Sequence, residues 1–406
     1  YSGAPTAIIN SCVLPASSCV TGTFNLGSFS AGNGVATSTT ANYTEAGAVS
    51  LILSDSSYAS VDGPAIDGTP DSQLTISSSA VTVGRFVPDH FDLILNTPSF
   101  TPGCGTFTYF GQPIMYAVNP VVTVTAKNAA GNITQNYGSL FNIVPTSGSF
   151  GITPSYTEPN YSVSVQNAAA PAVTNNGGGN ATLTFANTTS NILSLARPTN
   201  PVSSYPANLV MSFTMQDTDG VTVGNVGGVS AVNPVQFGSS GAGIAFTNLY
   251  NAFQWGRLAL TNVNGSELFP LNMGITAQYY SGYGFVTNKS DNCTTLNLSS
   301  MFSLTNPGTN SGAAQNGAAT MNVGSGTSSA SLSGATLASG QANLIFSSPG
   351  AGNTGYISVI SSFSAALPWL LYNWNQAGAG NTSPTAIATF GEYSTSPLII
   401  YMHEMY

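Results

Sequence analysis

The sequence predicts an all-β protein, because short segments alternate apolar with polar residues, glycine and proline punctuate them, and no stretch holds a helical period. Val122, Val124 and Ala126 alternate with Thr123 and Thr125, and Tyr161, Val163 and Val165 alternate with Ser162 and Ser164. Further along, Leu183 with Phe185, the series Leu209, Met211, Phe213 and Met215, and finally Leu398, Ile400 and Met402 repeat the pattern of half-buried strands. The 44 Gly and 23 Pro between such runs suit antiparallel hairpins and loops rather than alternating β and α units. The expected architecture is two or three antiparallel β-sandwich, immunoglobulin-like domains with long polar loops. Asn167–Asn180 and Thr305–Gln341, both polar and weakly patterned, are read as loops or linkers. The cuts fall into an N-terminal β region at 1–83, a middle sandwich at 84–246 and a C-terminal sandwich at 247–406. No fixed-period repeat argues for a solenoid or propeller.

Composition limits the function. The chain has 406 residues, 42% hydrophobic, with 18 Tyr and 20 Phe, so it holds ample core-forming material. Only 5% of residues are charged, against about 25% in an average soluble domain. Solubility then rests on Ser, Thr, Asn and Gly. Arg85, Lys127, Arg197, Arg257 and Lys289 stand singly, leaving no basic patch for nucleic acid. The net charge of −9 argues against anionic lipid. No apolar run approaches the ~20 residues that span a bilayer.

The four cysteines, Cys12, Cys19, Cys104 and Cys293, admit three pairings and lack paired CxxC spacing, so disulfides are favoured over zinc. Cys12 with Cys19 would close a short loop, and Cys104 with Cys293 would tie distant segments. Disulfides imply an oxidising compartment. Tyr1 opens no basic-then-apolar leader, which suits a mature form after leader removal.

Candidate chemistry is sparse. His90 and His403 are the two histidines. Neighbours in Asp89-His90-Phe91-Asp92 should face alternately on a strand, which disfavours a local relay. The reading is therefore no catalytic residue, no cofactor and no enzyme. Arg85 with Asp89 and Asp92, and Arg257 with Glu267 across an Asn264-Gly265 hairpin turn, are expected as structural ion pairs. Asp217 and Asp219 open a calcium-like loop that lacks the distal Glu, and are weak candidates only. Trp369, Tyr372 and Trp374 form the best aromatic set for stacking on a sugar, with core packing as the favoured role.

Several segments occur together and in order: Asn42–Gly47 (NYTEAG), Gly84–Leu93 (GRFVPDHFDL), Thr106–Pro113 (TFTYFGQP) and Thr125–Tyr137 (TAKNAAGNITQNY). Trp255–Glu267 (WGRLALTNVNGSE), Ala277–Thr294 (AQYYSGYGFVTNKSDNCT), Trp369–Trp374 (WLLYNW) and Ala388–Tyr393 (ATFGEY) follow, before a terminal IIYMHEMY. The set resembles the C-terminal region of MshQ-like proteins, encoded with mannose-sensitive haemagglutinin type IV pili. It departs from that pattern in charge, with His403 where Arg is expected before Glu404. The resemblance implies a surface or pilus-associated role and, from the surroundings of Cys104 and Cys293, a disulfide joining the middle and C-terminal sandwiches.

Two functions compete at this level. The first is a secreted, bacterial cell-surface structural protein, part of an extracellular filament or pilus built through β-strand contacts with its own copies or pilus components. Ala7, Ile8 and Ile9, or Leu398, Ile399 and Ile400, would be the intersubunit strand. The second is a pilus-associated monomeric adhesin that binds glycans or surfaces.

Overall fold

A computed structural model describes residues 5–391, apart from 34, 58–67, 138–151, 232, 239–240, 248–251, 307–313 and 375–379. The chain is all-β, with one short α-helix at Leu298–Met301 and two single 3-10 turns, Asp71–Gln73 and Pro368–Leu370, among the described residues. Among the described residues no helix is long and apolar enough to cross a membrane.

The first unit is a small antiparallel sheet. β1 (Thr6–Leu14) pairs with β2 (Gly47–Asp55), whose other side pairs with β3 (Val81–Phe86) and with Ile76–Ser77. Ala7 opposes Leu53, Ile8 opposes Ile52 and Ile9 opposes Leu51, so the N-terminal apolar segment expected to reach a neighbour is used within its own chain. Local alternation suits either partner, and β2 is the one at hand. β1 lies at the edge, with β2 its one partner among the described residues. Leu398, Ile399 and Ile400 lie outside the described residues. Tyr43, Val49 and Leu51 form the buried centre of this unit, with Ile9, Phe24, Val83 and Phe86 around it.

The second unit is built on a six-stranded sheet. It uses β4 (His90–Leu95), β5 (Val121–Lys127), β6 (Ala172–Gly177), β7 (Asn180–Thr184), β8 (Val223–Val226) and β9 (Val229–Ser230), in the order β6-β7-β5-β4-β8-β9. Val122, Val124, Leu93, Ala181 and Leu183 point into a core shared with Leu193, Leu195, Met211, Phe213 and Phe237 from shorter strands opposite. Thr123, Thr125 and Thr182 fall on the other face, as their alternation requires.

Two sheets face each other in the third unit. One comprises β10 (Gly256–Leu260), β12 (Leu271–Tyr280), β16 (Gln341–Phe346), β15 (Gly326–Leu332) and β14 (Thr320–Val323), in that order. The other runs β11 (Val263–Gly265), β18 (Thr385–Phe390), β17 (Gly355–Ser361), β13 (Phe302–Thr305) and then Gln315–Asn316. Met273, Ile275, Leu344 and Phe346 meet Leu304, Ile357, Val359 and Ala388 between them.

Two sequence expectations change here. The stretches read as loops contain β6, β14 and β15. Their alternation is carried by small residues: Met321 and Val323 are buried beside inward-facing Ser328 and Ala330, a pattern that apolar counting misses. Asn264-Gly265 is not a hairpin turn. It belongs to β11, which runs parallel to β18, so the chain crosses from one sheet to the other at this point.

Candidate functional site

Three places gather the polar chemistry, and all lie where units meet. At the first junction Glu45, only 5% exposed, accepts backbone N–H groups from Ala46 at 2.8 Å and Asn136 at 3.1 Å through Oε1, and from Gln135 at 2.9 Å through Oε2. Asn136 donates to the Val20 and Ala46 carbonyls and accepts from Val20 N–H at 2.8 Å. A buried carboxylate is costly unless its lone pairs are filled, and here backbone donors fill them. Cys12 and Cys19 form a disulfide beside this contact, with Asn136 Nδ2 3.8 Å from Cys19 Sγ.

The second place is the end of the six-stranded sheet, where scarce charges concentrate. Arg85 pairs with Asp219, so the ion pair expected with Asp89 and Asp92 takes a different partner. The sequence separation of 134 residues hid that partner. Asp89 and Asp92 instead flank His90, at 2.8 Å from Nδ1 and 3.3 Å from Nε2. The local arrangement disfavoured from alternation therefore forms. Asp89 precedes β4 and escapes its alternation, while Asp92 is two positions from His90 and shares its face. Asn225 donates to Asp92 at 2.7 Å, and a Cβ on Gly224 would lie 2.5 Å from the imidazole, so glycine lets β8 pass beneath the ring. Among the described residues no hydroxyl or thiol hydrogen-bonds to His90; His403 lies outside them.

Asp217 and Asp219 do not converge as metal ligands. Asp219 is taken by Arg85, and Asp217 Oδ1 caps its own turn, accepting from Asp219 N–H at 2.9 Å and Val221 N–H at 2.8 Å. Asp217 Oδ2 is buried without a hydrogen-bond partner among the described residues. Burial raises the pKa of this carboxyl, against the lowering effect of those backbone donors.

The third place joins the second and third units. Cys104 and Cys293 form a disulfide across 189 residues. Between them sits Asp291, fully buried, accepting from Thr294 N–H at 2.9 Å, Thr294 Oγ1 at 2.7 Å, Tyr109 Oη at 2.9 Å and Cys293 N–H at 3.2 Å. Asn288 donates onward to Tyr109 Oη and to Gln254. Burial, then the Asp291 charge, pushes the Tyr109 phenol well above its usual range. The loop carrying Cys104, Phe107 and Tyr109 is inserted into the third unit's core. Gly256 makes room for it, since a Cβ there would lie 2.3 Å from the Tyr109 ring.

Beside that lock two arginines are held by aromatic rings. Arg197 lies 3.5 Å from the Trp255 ring centroid and donates to the Gly256 and Leu371 carbonyls, both at 2.7 Å. Arg257 lies 3.7 Å from the Phe285 centroid and 4.7 Å from those of Tyr372 and Trp374, and donates to Gln278 at 2.8 Å. The expected pair with Glu267 is not made: once 263–265 leaves as a strand, Glu267 turns to the Gly352 backbone instead. Arg257 covers one face of Tyr372 and one face of Trp374, which a sugar could not then stack on. Glu45, Asn136, Tyr109 and Asp291 lie within the ordered motifs but are not among the expected site residues. Their signal was a polar residue embedded in an otherwise apolar or glycine-bearing motif.

Comparison with protein families matches residues 45–234 to the third domain of DUF6701 and residues 254–405 to its fourth domain. No curated protein matches the chain. DUF6701 is an uncharacterised family and supplies no link to MshQ-like proteins or pili.

Proposed function

From a chain that carries the third and fourth DUF6701 domains, we propose a secreted, cell-surface structural protein, a component of an extracellular filament or pilus that associates through sheet edges. The observation that carries this reading is the pair of locked junctions. At each, a buried carboxylate filled by hydrogen bonds sits beside a disulfide, so the units meet as fixed bodies rather than as domains on a hinge. Such locks resist load, and their disulfides suit an oxidising, extracellular setting. The sparse charge of the surface lets copies pack without burying unpaired ions.

The edge strand β1 supplies the contact. It carries no charged residue, and Ile8 is 52% exposed on it. Ile8→Lys tests this by sedimentation velocity. The wild-type chain should associate with rising concentration and the variant should stay monomeric. A wild-type chain that remains monomeric throughout would favour the adhesin reading, although Arg257 already covers one face each of Tyr372 and Trp374.

A further inference from the structure

We propose that the reduced form of the second locked junction, where Cys104 and Cys293 join the second and third units, is a binding site for a thiophilic divalent cation of the zinc type, with Cys104 Sγ, Cys293 Sγ and Asp291 Oδ1 as ligands. The three atoms already lie within 4.8 Å of one another. Asp291 Oδ1 stands 3.7 Å from Cys104 Sγ and 3.5 Å from Cys293 Sγ. A tetrahedral zinc ion with ordinary bond lengths has sulfur–oxygen edges of about 3.5 Å and sulfur–sulfur edges of about 3.8 Å. The carboxylate is thus in place, and the sulfurs need only part to the separation of two unbonded thiolates.

The surroundings are those of a ligand set. Thr294 Oγ1 and Tyr109 Oη donate to Oδ2, and the Thr294 and Cys293 backbone N–H groups donate to Oδ1 at 2.9 and 3.2 Å, so the plane of the carboxylate is fixed with Oδ1 toward the sulfurs and the cation would be the third partner of that oxygen. Cys104 is 2% exposed and Asp291 is fully buried, so bulk water does not compete from behind. On the other side a cleft lined by Cys104, Gly105, Thr106, Ser290, Asn292 and Cys293 opens to solvent. That cleft gives a fourth coordination position to water.

The chemistry balances. A dithiol or phosphine reductant gives two electrons to the disulfide, and the sulfurs take two protons to become thiols. The cation then displaces both thiol protons to solvent. A disulfide oxidant reverses this by exchange: the two thiolates give it two electrons, it leaves as a dithiol after taking up two protons, the sulfur–sulfur bond re-forms and the cation is released. The site has a use in maturation: four cysteines admit three pairings, and Cys104 and Cys293 meet only after chain segments 189 residues apart have folded together. A bound cation would hold the correct pair until an oxidant arrives. The inference does not depend on the filament reading.

The test uses the full chain carrying Cys12→Ser and Cys19→Ser, reduced with a phosphine and titrated with Co²⁺. The expected result is one ion per chain with a thiolate-to-cobalt charge-transfer band, abolished by Cys104→Ser. Asp291→Asn should weaken binding at least tenfold, and Thr294→Val, which leaves all three ligands in place, should weaken it about tenfold. Thr294→Val decides the matter if Asp291→Asn does not fold. Absence of the band, loss of near-ultraviolet circular dichroism on reduction, or unchanged affinity in Thr294→Val would overturn the proposal.

Discussion

Asp217 shows how one side chain can sit at odds with its setting. Its Oδ1 is well used, but Oδ2 is buried and unpartnered among the described residues, and burial raises its pKa above 3.8. A raised carboxyl favours the folded state in acid and costs stability once pH passes the unfolded value, because the unfolded chain ionises freely and the folded one does not. Asp217→Asn should therefore stabilise the fold by about 1 kcal/mol at pH 7, read as a higher melting temperature, with the gain gone at pH 3. Arg197 is the opposite case, a charge that is buried but held. Its loss through Arg197→Met leaves the Gly256 and Leu371 carbonyls without their donor and removes the contact with Trp255. Thermal unfolding should register a loss of about 3 kcal/mol. Such residues were the least legible in the sequence. Arg85 finds Asp219 and Arg257 finds a ring of aromatics because the fold brings distant segments together, and nearest-neighbour pairing along the chain had no access to that.

Elements were more legible. Strands with large apolar residues on one face, such as Val121–Lys127 and Val210–Phe213, stand where alternation placed them. Those whose inward residues are Ser or Ala, such as Gly326–Leu332, did not declare themselves, because a small buried residue resembles a loop residue in composition. The approach of β10 to the inserted Tyr109 loop gives the element-scale prediction. Gly256→Ala must displace the Tyr109 ring and should cost about 2 kcal/mol, read as a lower denaturation midpoint with an unchanged slope.

For the whole molecule, stability is tied to buried phenols and a long-range disulfide. Tyr109, Tyr116 and Tyr156 all have pKa values raised, first by burial. A raised phenol holds its proton in the folded state, so its contribution is complete below pH 10 and is lost as pH rises beyond it. Arg197, lowered to about 10 by burial, and Arg257, lowered by burial as well, work in the opposite sense over the alkaline range, but they face five raised phenols, since Tyr43 and Tyr205 are raised too. The melting temperature should fall steeply above pH 10. Closing a loop of this length is worth on the order of 5 kcal/mol in the chain-entropy model, so Cys104→Ser should lower the melting temperature and loosen the second junction. An unchanged melting temperature in the oxidised protein would show that the bridge contributes no stability. The central claim concerns assembly, and electron microscopy of native surface material tests it most directly. The account predicts ordered filaments with an axial repeat one chain long; dispersed particles, or isolated knobs on other fibres, would contradict it.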